Sequence, residues 1–346
     1  MITRITCTAI FTTLLCTSTN AFSNVGIQRS GKIISKTQVK ASNSAEPIPL
    51  KKGSTVALVT PFLPNGDIDQ EGLRTLFRFH KENQTDGLCV LGTTGEASLL
   101  TMEERKIVLD IAVEECKGTI PLLIGTGAIN PVEVKEMTLQ AMDCGADAAL
   151  VVSPPYIKPP QRGLVDHFTN IAKLGLPVVV YNVPGRTGVD VTPASIGLCS
   201  QMHENIVGVK EATGDVSRVK AIRDVEKEIN VGRELLLYSG DDSTEAEFVL
   251  SGGDGCISVT ANVAPKQMHD MMMAALDGNR DETMRINETL KSIHSDIFCE
   301  SNPIPAKWAM KRLGKIDNAI CRPPLAELDE KFHSVVEAAL GGAGLI

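Results

Sequence analysis

The sequence predicts an α/β fold, a (β/α)8 TIM barrel with a C-terminal helical extension. Strand-like runs recur about every thirty residues between Thr55 and Asn262, and helically spaced segments follow them, the pattern of parallel β/α units. There are eight such runs in a chain of 346 residues, enough to close one barrel. A doubly wound sheet is the alternative. The first strand is not followed by the Gly-x-Gly-x-x-Gly fingerprint of a dinucleotide fold.

The expected strands are Thr55–Phe62, Gly87–Gly95, Pro121–Gly127, Ala148–Pro155, Pro177–Pro184, Ile206–Thr213, Glu234–Asp242 and Gly255–Asn262. They are short and rich in β-branched residues, as buried parallel strands are. Between the first two, Leu73, Leu76, Phe77 and His80 fall three and four apart on one helical face. Thr101 followed by Glu104 is a capping-box pattern opening a helix to Lys117. Pro131 opens a helix that stops at Cys144 before Gly145, and Pro193 and Pro265 open later ones. Beyond the eighth strand, Ala264–Gly278, Asp281–Cys299, Pro305–Leu313 and Leu325–Leu340 read as helices. The barrel is expected over residues 51–278 and the helical extension over 279–346.

Residues 1–50 differ from the rest. Arg4 precedes a short apolar run, Ala9–Leu15, and small residues continue to Ala21, a compact signal-like pattern. From Phe22 to Ala45 the chain carries Arg29, Lys32, Lys36 and Lys40 among many hydroxyls, with no acid before Glu46. Basic, acid-poor, hydroxyl-rich sequence is typical of a transit peptide. The expectation is a cleaved bipartite plastid presequence. The Asn20-Ala21-Phe22-Ser23 junction resembles the cleavage motif of algae with secondary plastids. A plain secretory signal is the alternative, but scattered cysteines from Cys89 to Cys321 suit a reducing compartment better.

The net charge of −8 gives no footing for nucleic acid or an anionic membrane, and no apolar run approaches a membrane span. The six histidines do not cluster and no Cys-x-x-Cys occurs, so no metal or cofactor is expected.

In such barrels the active site lies at the carboxyl ends of the strands. The sixth strand leads Ile206-Val207-Gly208-Val209 into Lys210. On a period of two, Lys210 shares a face with Ile206 and Gly208. An amine among aliphatic side chains is poorly solvated, and the neutral amine is the nucleophile that forms an imine with a carbonyl. The bland alternative is a lysine in water. The second strand ends Gly92-Thr93-Thr94-Gly95-Glu96, where hydroxyls and backbone N–H groups can meet a carboxylate, or simply turn. The fourth ends at Tyr156. In the fifth, Tyr181 shares a face with Val179, and Arg186 sits in a glycine-bounded loop, able to hold a carboxylate bidentately. The seventh and eighth strand ends carry Gly240-Asp241-Asp242 and Ser251–Gly255, the latter read as a turn rather than a phosphate loop.

Gly92–Glu96, Tyr156, Tyr181–Gly188 and Lys210–Thr213, in this order, resemble the dihydrodipicolinate synthase and N-acetylneuraminate lyase family. Gly240–Asp242, Ser258–Val263 and Asn302–Trp308 are similar too, and the likeness runs from about residue 53 onward. Tyr-Asn-Val-Pro-x-Arg-Thr-Gly resembles the synthase branch, since the neuraminate lyases lack that arginine. The resemblance implies a lyase that condenses pyruvate with L-aspartate 4-semialdehyde, opening lysine synthesis by the diaminopimelate route. It implies that Lys210 forms the Schiff base with pyruvate. Tyr181, Thr93 and Tyr156 form a hydroxyl relay, Tyr156 reaching in from a neighbouring subunit. Thr94 and the backbone at Ile257 position pyruvate, and Arg186 holds the carboxylate of the aldehyde. A homotetramer built from dimers is implied, with no metal and no cofactor.

One departure stands out. At positions that line the lysine-inhibition pocket of the family, this chain has Ala97, Met102, Ile129 and Pro155, with Glu133 retained. Weak or absent inhibition by lysine is therefore expected. The competing readings are another pyruvate-dependent lyase of the family acting on a sugar-derived substrate, a metal-dependent aldolase, and a non-catalytic scaffold. Arg186 argues against the first, the scattered histidines against the second, and the intact Lys210, Tyr181 and Thr93 against the third.

Overall fold

The computed structural model describes residues 49–346. The expected presequence, but for its last two residues, lies outside them. Eight parallel strands close a barrel in sequence order: β1 (Gly53–Ala57), β2 (Gly87–Val90), β3 (Leu122–Gly125), β4 (Ala148–Val152), β5 (Val178–Asn182), β6 (Ile206–Glu211), β7 (Leu236–Ser239) and β8 (Gly255–Ser258). β8 pairs back onto β1, Thr55 opposite Ile257. The fold is the (β/α)8 barrel read from the sequence. The observed strands are shorter than the apolar runs, because each run continues past the ladder into the loop at the barrel mouth.

The outer helices are α1 (Gln70–Glu82), α2 (Met102–Cys116), α3 (Pro131–Cys144), α4 (Gln161–Ala172), the single turn α5 (Pro184–Thr187), α6 (Pro193–Met202), α7 (Ser217–Ile229), α8 (Glu245–Leu250) and α9 (Pro265–Leu276). The buried face of α1 is Leu73, Leu76, Phe77 and His80, as the spacing predicts. The Thr101–Glu104 capping box is formed in both directions. α3 begins at Pro131 and ends on Gly145, whose φ of 100° is the left-handed cap that glycine adopts without strain. Such caps satisfy backbone groups that the helix ends leave orphaned, contributing about 1 kcal/mol each.

Two apolar layers result. The larger lies between strands and helices, and the smaller fills the barrel, with Ala57, Cys89, Leu123, Leu150, Val179 and Tyr238 among its members. Each fully buried Val, Leu or Phe stabilises the fold by about 1.5–3 kcal/mol relative to an exposed one. The seven described cysteines are all unpaired. No helix among the described residues is long and apolar enough to cross a membrane.

Three expectations are corrected. The register of β5 on β6 shifts, Val178 opposite Ile206 but Val179 opposite Gly208, so Val207 is an inserted residue. A bulge reverses the alternation; Ile206 therefore packs in the outer layer, not beside Lys210. Ser251–Asp254 precedes β8 and so lies at the opposite end of the barrel from the mouth. There Asp254 accepts from Leu237 N at 2.9 Å and pairs with Arg223 at 2.6 Å and Lys52 at 2.7 Å. The helix expected over Leu325–Leu340 begins only at His333, because Asp329 caps a short 3-10 turn, accepting from Lys331 N.

The chain ends with α10 (Arg280–Asp296), α11 (Ile304–Arg312) and α12 (His333–Gly342). Ile286, Leu290, Ala309, Met310, Val336 and Leu340 belong to the same apolar cluster as the barrel's outer layer. The extension is thus continuous with the barrel's core.

Candidate active site

Tyr181 and Lys210 face each other across the β5–β6 ladder. Both are buried, at 7% and 6% exposure, and Lys210 Nζ lies 4.6 Å from the centre of the Tyr181 ring. A cation over an aromatic face is attracted by the ring quadrupole. Their outward-pointing neighbours hold this register. Asn182 Nδ2 donates to both Glu211 oxygens at 3.1 Å, and Arg218 pairs with Glu211 at 2.9 Å and Asp190 at 3.1 Å. Because side chains alternate along a strand, a polar lock on the outer face fixes the inner pair.

Gly240, just after β7, makes room for the lysine. A Cβ built there would lie 2.7 Å from Lys210 Cε and 2.8 Å from Ala212 Cβ, distances that no real side chain tolerates.

The turn after β2 brings the two threonines to the same mouth. Thr93 is exposed and lines the cavity; Thr94 is buried and its Oγ1 accepts from Asn302 Nδ2 at 2.9 Å. Thr60 Oγ1 donates to Gly95 O at 2.8 Å, pinning this turn to the end of β1. Glu96 forms an ion pair with Lys307 at 2.7 Å, both side chains wholly buried. The Lys307 ammonium lies 4.0 Å from the Phe62 ring centre, and Arg322 N donates to the other Glu96 oxygen at 2.8 Å.

Arg186 is exposed on α5 at the rim, its guanidinium 3.4 Å from the carbonyl of Asn302. Ile257 is buried in β8 among the barrel-filling residues. Tyr156 stands apart. It is 85% exposed, with φ of +72°. A bulky residue in the left-handed region is strained.

A cavity of about 680 Å³ opens at the mouth, lined by Thr93, Tyr181, Val183 and Arg186 on one side. It continues past Arg105 to Met102, Ile129 and Glu133. Arg105 Nη2 donates to Gly125 O at 2.7 Å, and burial pulls its guanidinium down to about 10.

The chain matches the model of the dihydrodipicolinate synthetase family over residues 50–342. It belongs to that family. The 4-hydroxy-tetrahydrodipicolinate synthase of Methylococcus capsulatus is 46% identical over 296 residues, 85% of this chain and 99% of that one. Among solved structures, the chloride-inhibited dihydrodipicolinate synthase of Acinetobacter baumannii, complexed with pyruvate, is 44% identical with a TM-score of 0.81. The match covers 85% of this chain and 99% of that one. A structure described as the first monomeric dihydrodipicolinate synthase variant is 36% identical with a TM-score of 0.82, covering 86% and 98%.

Among the described residues, Asp242, Glu245 and His294 bring ligand atoms within 4.8 Å of one another behind the mouth. Two of the three are already engaged. Asp242 accepts from Ser258 Oγ, Val259 N and Thr260 N, and His294 Nδ1 pairs with Thr260 Oγ1 at 3.0 Å. Burial, reinforced by Asp242, pushes the Glu245 carboxyl well above the usual range, and burial lowers His294. Both Glu245 oxygens and His294 Nε2 are buried without a hydrogen-bond partner. The sequence reading missed this cluster, since Glu245 and His294 are 49 positions apart. It also assigned no role to Asn302 or Lys307. Their segment carried the family likeness, but only the tertiary structure brings it against Thr94 and Glu96.

Proposed function

We propose that this chain is a lyase that condenses pyruvate with L-aspartate 4-semialdehyde to give 4-hydroxy-tetrahydrodipicolinate. The observation that carries the reading is the buried Lys210–Tyr181 pair at the mouth of the barrel. The family membership and the pyruvate complex of a 44% identical synthase support it.

The chemistry is the one the family resemblance implies for these residues. Lys210 Nζ attacks the ketone carbon of pyruvate, and water leaves to give the protonated imine. That imine withdraws electrons, so the methyl group loses a proton and becomes the nucleophilic carbon of an enamine. Attack on the aldehyde carbon forms the new C–C bond. The amine of the second substrate then displaces Lys210 and closes the ring. In this reading Tyr181 passes the protons of these steps, with Thr93 as the next hydroxyl. Thr94 and the backbone at Ile257 hold the pyruvate carboxylate, and Arg186 holds that of the aldehyde. Holding both substrates in one geometry replaces a bimolecular encounter by a local one.

The exposed, strained Tyr156 and its exposed neighbour Ile157, 54% accessible, support a subunit contact through which Tyr156 completes the partner's relay. The full assembly is then a homotetramer of two such dimers. A monomeric relative at 36% identity makes sedimentation the necessary check. The basic, acid-poor stretch before Glu46 supports delivery to the plastid stroma, which a fusion of residues 1–50 to a fluorescent protein would report.

The test is pyruvate consumption by the protein from about Lys52 onward, in EDTA, with L-aspartate 4-semialdehyde supplied. Rapid turnover is expected. Turnover only with a sugar-derived aldehyde would move the chain to the lyase branch and strip Arg186 of its role.

A further inference from the structure

We propose that Asn302, from the C-terminal extension, is a positioning residue that makes Thr94 a committed hydrogen-bond donor toward the pyruvate carboxylate. The proposal rests on the assignment of Thr94 to that carboxylate.

A threonine hydroxyl has one proton and two lone pairs. A carboxylate only accepts, so Thr94 serves it only by pointing its proton at it. Left alone, a buried hydroxyl turns its proton toward whichever acceptor is nearest, often the backbone carbonyl of its own turn. Asn302 Nδ2 donates to Thr94 Oγ1 at 2.9 Å, with Thr94 at 3% and Asn302 at 8% exposure. Once Oγ1 accepts this bond, its own proton must point away from the amide. The orientation of the donor is thereby set before substrate arrives, and preorganised donors are worth more than ones that reorient during binding.

The backbone that carries the amide is well held, and the amide's own Oδ1 is buried without a hydrogen-bond partner, so Thr94 is its one side-chain anchor among the described residues. Ile304 N donates to Ser301 O at 2.9 Å, closing the turn that carries Asn302, and Lys307 N donates to Pro303 O at 3.0 Å at the start of α11. Five residues on, Lys307 grips Glu96, two residues beyond Thr94, in the wholly buried ion pair. Two struts, Asn302–Thr94 and Lys307–Glu96, therefore tie one segment of the extension to one turn of the mouth. The carbonyl of Asn302 also faces the Arg186 guanidinium at 3.4 Å. The extension thus enters the substrate site rather than merely covering the barrel.

The test measures steady-state rates with pyruvate varied, and borohydride trapping of the imine against pyruvate concentration, for T94V, N302A, N302D and T94V/N302A. Thermal melts run in parallel. N302A should raise the pyruvate KM about tenfold, with kcat changed less, as expected for loss of one buried hydrogen bond. N302D should raise it about a hundredfold, because a carboxylate there takes the Thr94 proton for itself and repels the substrate. T94V/N302A should be no worse than T94V. A pyruvate KM that stays at the wild-type value in N302A and N302D, or an Asn302 effect that persists unchanged in the T94V background, would overturn the proposal. If T94V itself leaves the pyruvate KM unmoved, it is the assignment of Thr94 that fails. A merely structural Asn302 would lower the melting temperature and kcat without moving KM. Should N302A melt far below wild type, the isosteric N302D carries the comparison.

Discussion

Asn182 and Glu211 hydrogen-bond across β5 and β6 at 3.1 Å, on the outer face immediately beyond the Tyr181–Lys210 pair. The register of Lys210 against Tyr181 is therefore set by residues on the outer face of the barrel.

Lys210→Ala should abolish the mass gain produced by borohydride with pyruvate, which mass spectrometry reads directly. Tyr181→Phe should still form the adduct, slowly, with kcat lower by about 10²–10⁴, the range of general acid–base catalysis. A full adduct on Lys210→Ala would refute the nucleophile.

Gly240→Ala should fold and lose activity. Its φ is not in the left-handed region, so the cost falls on the lysine chain that the new methyl would meet at 2.7 Å. A misplacement of the amine by about 1 Å costs about 10²-fold in kcat. Wild-type kinetics in this variant would show that Lys210 relaxes around the methyl.

The Glu96–Lys307 pair is wholly buried. Lys307→Met should destabilise by about 3–5 kcal/mol, because it leaves a buried carboxylate without its partner. Glu96→Leu/Lys307→Met should recover part of that loss in urea unfolding. A double variant as unstable as the sum of the single ones would deny the coupling.

His80 is buried, and burial lowers it to about 3; His167 is lowered in the same way to about 4. A base kept neutral in the fold but protonated when unfolded contributes stability above the unfolded value near 6.5, and that stability falls as pH drops toward the folded value. The urea midpoint should decline below pH 6.5, by at most about 1.4 kcal/mol per pH unit per histidine. His80→Leu should flatten that slope. An unchanged slope would place the acid sensitivity elsewhere.

Lysine should inhibit weakly. Met102 and Ile129 line the far end of the cavity, and neither offers a partner to a charged amino acid, although Glu133 remains. An inhibition curve with a midpoint in the micromolar range would sink this expectation.

Much of this was legible in the chain itself. Eight apolar runs separated by helical spacing define a parallel barrel, because parallel strands are buried on both faces and need a crossover helix each. The buried face of α1, the Thr101 cap and the proline-opened helices are local signals that the structure repeats. Lys210 and Tyr181 were readable as ends of strands, and ends of strands face the mouth. What no local pattern contains is the inserted Val207, which sends Ile206 to the outer layer, since a bulge depends on how the neighbouring strand pairs. Nor does it contain the reach of Asn302 to Thr94, 208 positions away, or of Lys307 to Glu96. Those contacts arise only when α10 packs on the last barrel helix and swings α11 over the turn after β2. Strand and helix identity follow from short-range periodicity, whereas the partners of a buried polar group are chosen by the folded surface that takes it out of water.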